Sequence, residues 1–221
     1  MPLHANGPLS RLVERHLTPE LPAARFVANV ALVSIAGLVP ALALYVLLTP
    51  GFAAHLRGSE GALGAFLRQV ATNGLPVVIA LNYVSFTLLA RVRAETTGLG
   101  RIVALDFAAR TGLFVALHAA IYAGSAVLFG SFGGDPARGL AVVAPTLVAA
   151  AGFGNLSGVY LYAGLVGALP LHMALAESAA RRAGRGPPTR AASLLLAIAI
   201  FGAQALALTL TARLLAALQT A

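Results

Sequence analysis

The sequence predicts an all-α, polytopic integral membrane protein: a bundle of five transmembrane helices with an N-terminal interfacial amphipathic helix. Three observations carry that prediction. Of 221 residues, 59% are hydrophobic and only 10% charged, against about 25% charged in a soluble domain. Five apolar runs are each as long as the roughly 20 residues that cross about 30 Å of hydrocarbon. Most of the arginines gather at the ends of those runs.

Composition also removes whole classes of chemistry. Cysteine is absent, which excludes disulfides, thiolate metal sites, iron–sulfur clusters and cysteine nucleophiles. Lysine is absent as well, so all 15 basic residues are arginines; a Schiff-base or P-loop lysine is excluded. The Ala, Arg, Gly, Leu and Pro bias is that of a GC-rich bacterial genome. The net charge of +8 reads as loop anchors that set orientation against anionic lipid, and not as a nucleic-acid surface, because no basic domain stands apart.

Residues 1–24 form a cytoplasmic or interfacial N-terminal segment, and 25–221 the five-helix membrane domain. Ser10 is placed to cap a short helix through Leu17, with Leu9, Leu12, Val13 and Leu17 opposing Arg11, Glu14, Arg15 and His16. The first span is 26–48. Its Ala41-Leu42-Ala43 resembles a leader cleavage site, but the apolar run continues through Leu48, which reads as a span. Residues 49–69 form a short polar loop, with a helical end that leads onward. The second span, 70–90, carries Asn73, Gly74 and Pro76 near its start, and Pro76 predicts a kink.

A loop from Arg91 to Arg101 leads to the third span, 102–129, where Asp106 and Arg110 at i and i+4 predict a local ion pair. Gly130 to Arg138 is a tight turn by its Gly and Pro content. The fourth span is 139–171, long enough to be tilted or broken, with Pro145 and Pro170 near its ends. A loop with Arg181, Arg182, Arg185 and the breaker Gly186-Pro187-Pro188 precedes the fifth span, 192–217. No internal repeat is visible. Eleven arginines fall on the side of the N-terminus and four on the other. That split predicts a bacterial inner-membrane protein with its N-terminus cytoplasmic and its C-terminus periplasmic.

Near the centre of every span stands a polar residue: Ser34 in the first, then Asn82, His118, Asn155 and Gln204. On the third span Thr111, His118, Tyr122 and Ser125 share one helical face. On the fourth, Ala150, Gly154 and Gly158 predict a small-residue ridge for close helix packing. The polar set is read in two ways, as interhelical hydrogen bonds holding a bundle or oligomer, or as the lining of a path or pocket.

No Asp or Glu is placed inside a span, with Asp106 and Glu177 assigned to the cytoplasmic ends; this weighs against cation-coupled transport. His118 is then the sole titratable group at depth. His118 and His172 cannot sandwich one haem, because His118 lies some 16 residues, about 24 Å, from the inner helix end where His172 sits. No His-x-x-x-His or His-Glu-x-x-His metal spacing occurs. Ser157 lacks the Gly-x-Ser-x-Gly elbow, and no acid stands at its depth to orient a histidine.

The function expected from this is non-catalytic: a subunit or assembly factor of a larger inner-membrane complex, or a self-associating bundle. Its partners would be the lipid bilayer and either other membrane polypeptides or itself as a homo-oligomer, with no nucleic acid. Two alternatives stand beside it. One is a small transporter or channel for a neutral solute along Asn82, His118, Tyr122, Asn155 and Gln204. The other is a pigment- or haem-binding protein with His118 as single ligand. No motif names a cofactor.

Overall fold

A computed structural model describes residues 8–90, 98–186 and 188–220. Residues 1–7 of the N-terminal segment, most of the loop from Arg91 to Arg101, and Pro187 of the breaker lie outside them. The chain is an all-α polytopic bundle, with no strand among the described residues. Five helices are long and apolar enough to cross a membrane: Ala23–Leu48, Ala62–Ala90, Leu99–Phe129, Leu156–Arg182 and Arg190–Ala217.

α1 (Pro8–His16) is the amphipathic helix that the N-terminal pattern predicts. It is not capped by Ser10. The carboxylate of Glu177, 167 residues away, accepts from the amides of Leu9 and Ser10 at 3.2 Å each, which satisfies first-turn donors that have no acceptor within their own helix. Val13 and Leu17 pack beneath it in one apolar cluster with Phe26, Leu171 and Leu175. The first span is α2 (Ala23–Leu48), followed by two short helices, α3 (Phe52–Gly58) and α4 (Ala62–Gln69).

α4 runs through a π-helical turn, Val70–Gly74, into α5 (Leu75–Ala90), so the second span begins eight residues before the sequence pattern places it. The wide turn stands directly before Pro76, whose ring nitrogen has no hydrogen to donate. Gly74 is needed there, since a Cβ would run into the ring of Tyr160. The third span is α6 (Leu99–Phe129). Gly130 and Gly133 take positive φ in the turn after it, and Asp135 caps α7 (Pro136–Ala141) through Oδ1 on the amide of Ala137 at 2.9 Å.

The fourth span is where sequence and structure part. Residues 139–171 are not one helix. α7 and α8 (Val143–Ala151) form a short apolar arm, the chain breaks over residues 152–155, and the crossing helix is α9 (Leu156–Arg182). Phe153 takes φ +55° in the break, a left-handed conformation that costs a side chain about 1–2 kcal/mol. Its ring stacks on Tyr162 at 4.2 Å and 9°, a contact that offsets much of that cost. Tyr162 also donates its hydroxyl to Ala151 O at 2.7 Å.

The small residues Ala150, Gly154 and Gly158 therefore do not form a ridge on one helix. Gly158 sits against the backbone of Ala150, so close that a Cβ would overlap the Ala150 carbonyl. The close approach joins α8 to α9 within the chain. α10 (Arg190–Thr220) completes the bundle. α9 is its axis: it touches α1, α2, α5, α6, α8 and α10, and almost every residue from Gly158 to Ser178 is buried. Pro170 lies in its interior and not near its end.

Candidate functional site

Two polar centres lie along α6 and α9. The first is sealed. Asp106 receives Arg110 Nε at 2.9 and 3.0 Å on its two oxygens, His172 Nε2 lies 3.0 Å from Oδ2, and Ser85 donates its hydroxyl to Oδ1. Arg110 Nη1 reaches Gly164 O at 2.9 Å and donates to Asn82 Oδ1. Asn82 Nδ2 in turn donates to Ser34 Oγ at 2.8 Å. Arg110 also lies over the ring of Phe86 at 5.4 Å.

This chain of contacts joins α2, α5, α6 and α9. Its side chains are buried, and Asp106, Arg110, His172, Asn82 and Ser34 are fully so. Gly167 makes room for the amide of Asn82, where a Cβ would collide. The Asp106–Arg110 pair that the spacing predicts is present. Its assignment to a helix end outside the span is not: both residues are buried within the spanning helix α6, and Glu177 is also buried within α9. The premise that no acid stands inside a span is corrected accordingly.

The second centre is open. A cavity of about 780 Å³ lies between the π turn of the second span, α6 and the first turn of α9. Gln69, Thr72, Asn73, His118, Tyr122 and Ser157 give it polar walls, and Val77, Leu117 and Ile121 apolar ones. Among its lining residues there is no Asp, Glu or Arg. The Tyr160 hydroxyl, on the same wall, is buried and has no hydrogen-bond partner.

His118 is held on both ring nitrogens. Nδ1 lies 2.9 Å from Phe114 O, and a carbonyl only accepts, so Nδ1 carries a hydrogen. In the neutral ring Nε2 is then the acceptor, and it faces Ser157 Oγ at 3.2 Å. The ring packs against Phe114 at 4.0 Å and edge-on to Tyr122 at 5.7 Å. Ser157 stands in the first turn of α9, whose N-cap is Asn155: its Oδ1 accepts from the amide of Gly158 at 3.0 Å, and its Nδ2 donates to Thr146 O at 3.0 Å.

The five residues that the sequence offers as the lining of a path thus go to four places. Asn82 belongs to the sealed centre. His118 and Tyr122 line the cavity. Asn155 caps a helix end and is not at mid-span. Gln204 is buried on α10 with neither amide atom partnered, and it is not part of the cavity wall. They line no common path. His118 and His172 face different partners, Ser157 and Asp106, and His118 and Asp106 are twelve residues, about 18 Å, apart along α6.

Arg110, His172, Asn73 and Ser157 are named from the sequence without being placed at either centre, and neither Ser85 in the sealed centre nor Thr72 at the cavity is singled out there. The signal for the sealed centre was the i, i+4 acid–base pair itself. An arginine and an aspartate on an apolar helix have few ways to be satisfied other than inward. No known family model, curated protein or solved structure matches the chain.

Proposed function

We propose that the protein takes up a neutral amphiphile from the bilayer, with the head against Thr72, Asn73, His118, Tyr122 and Ser157 and the tail along Val77, Leu117 and Ile121. The observation that carries this is the makeup of the cavity. Its polar groups are uncharged donors and acceptors, its far wall is aliphatic, and Ile121 is both a lining residue and half exposed on the apolar outer surface. A ligand that partitions into lipid reaches such a mouth sideways. The π turn and the break before α9 add weight, since helix irregularities of this kind recur at functional sites.

An assembly role draws less support. Beside loops too short for a catalytic domain, it rests on a packing ridge, which instead closes α8 onto α9, and on spans without acids, whereas Asp106 and Glu177 are buried in two of them. A continuous solute path is unsupported for the reason given above. The arginine distribution supports a bacterial inner-membrane location with the N-terminus cytoplasmic and the C-terminus periplasmic. In that orientation the cavity lies toward the periplasmic half.

The test is photocrosslinking of purified protein with a neutral alkyl glyceryl ether that carries a diazirine. Adducts should map to residues 69–80 and 117–122 and vanish in Ala80→Trp, which fills the cavity. Crosslinks spread evenly over all lipid-facing helices, and unchanged by Ala80→Trp, would refute the reading.

A further inference from the structure

We infer that Ser157 and His118 form a nucleophile–base pair for acyl transfer, and that the ligand class of the cavity is an acyl ester with an apolar chain. The inference rests on reading the cavity as an amphiphile site and adds chemistry to it. Binding alone needs polar groups that point at the ligand. It does not need a hydroxyl bonded to the free nitrogen of an oriented imidazole.

That geometry has three parts. Ser157 Oγ lies 3.2 Å from His118 Nε2, within reach for proton transfer. His118 is fixed in the required tautomer by Phe114 O at 2.9 Å, so a backbone carbonyl does the orienting for which an acid is absent. Both side chains form part of the cavity wall, where a substrate can meet them.

A place for the developing oxyanion is also at hand. Ser157 belongs to the first turn of the 27-residue α9. The amides of Leu156 and Ser157 have no acceptor within the helix, whereas that of Gly158 is taken by Asn155. They are oriented donors at the positive end of the helix dipole.

The step balances with water as co-reactant. Ser157 Oγ attacks the ester carbonyl carbon while its proton passes to His118 Nε2. The C–O bond to the alcohol breaks as Nε2 returns that proton to the leaving oxygen, and an acyl-Ser157 ester remains. Water then attacks the acyl carbon, giving one proton to Nε2. The Ser157 C–O(acyl) bond breaks, Oγ recovers the proton, and a carboxylic acid leaves. The absence of any acid or arginine from the cavity wall lets the acid product depart without an ion pair to hold it.

The experiment uses the full chain in detergent with a hexadecyl fluorophosphonate, which traps an activated serine as a stable adduct. The adduct should map to Ser157 by mass spectrometry, disappear in Ser157→Ala, and form roughly 100-fold more slowly in His118→Gln. Unchanged helical circular dichroism would show both variants folded. Because the chain has no cysteine, Val77→Cys supplies a separate readout of occupancy: a neutral alkyl glyceryl ether should protect it from maleimide. Protection without an adduct on Ser157 overturns the catalytic pair and leaves the binding site standing. An adduct indifferent to His118→Gln also overturns the pair. Neither protection nor adduct removes both readings.

Discussion

The two polar centres are built from similar parts and differ in what surrounds them. Each has a histidine, a serine hydroxyl and a contact between α6 and α9. Around His172 every neighbour is another helix, and hydrogen bonds and ion pairs link four of them, although Arg110 Nη2 and His172 Nδ1 are buried without a hydrogen-bond partner. Around His118 one side is empty: the ring is buried, but its serine partner opens onto a cavity. In hydrocarbon a polar group must find a partner inside the protein. A centre that closes on itself serves as a brace, and a centre with a vacant side is available to a ligand.

The strongest test of that contrast is to break the brace. Asp106→Ala leaves the Arg110 guanidinium buried without its counter-charge, and removing one partner of a buried pair costs about 3–5 kcal/mol. The expected result is a large loss of unfolding free energy in detergent, with little purified protein recovered. A loss below about 1 kcal/mol would mean that the centre is wetter than its burial implies. Substituting both Asp106→Leu and Arg110→Met should cost less than either change alone, since no lone charge is left behind.

Packing around the axis gives the next largest effect. A Cβ on Gly37 would overlap the carbonyl of Ala163, while one on Gly124 meets nothing within 4 Å. Gly37→Ala should therefore lower the thermal midpoint by the equivalent of about 1–3 kcal/mol. Gly124→Ala should leave it unchanged or raise it slightly, because alanine favours the helix. Equal effects at the two glycines would show that α2 does not approach α9 as closely as described. Smaller again is Tyr162→Phe, which keeps the stack on Phe153 but loses the bond to Ala151 O. About 1 kcal/mol is expected, read as faster amide exchange over residues 152–155.

How much of this the sequence carries follows from what periodicity can see. Helix type and the number of spans are legible because about 20 apolar residues in a row have few alternatives. The break at 152–155 is not, because glycines and one asparagine within an apolar run of spanning length are also found inside membrane helices. What marks the break is one packing contact and one local one: Phe153 stacks on Tyr162, and Asn155 caps the helix that follows. Once that break is missed, every depth assigned on the fourth span is wrong, and Asn155 is moved from a helix end to the membrane centre. The same error hides the pair at the cavity, since His118 and Ser157 meet only when α9 begins at Leu156. Asp106 is a related case: its place near a helix end does not reveal its burial, which comes from the helices packed around it.

The smallest effect, expected at Ser157, separates the two centres most sharply when set beside the matching serine of the other. Ser85 donates to Asp106 where the surroundings are closed. In Ser85→Ala the buried carboxylate loses one of its donors, and about 1–3 kcal/mol should be lost. Ser157 donates to His118 beside the cavity. In Ser157→Ala a water or a ligand head can take over the Nε2 lone pair, so the change in stability should stay within about 0.5 kcal/mol, while fluorophosphonate labelling disappears. Parallel unfolding measurements on the two alanine variants decide the matter. If Ser157→Ala costs as much as Ser85→Ala, its hydroxyl is as enclosed as the brace, and the vacant side that sets the second centre apart does not exist.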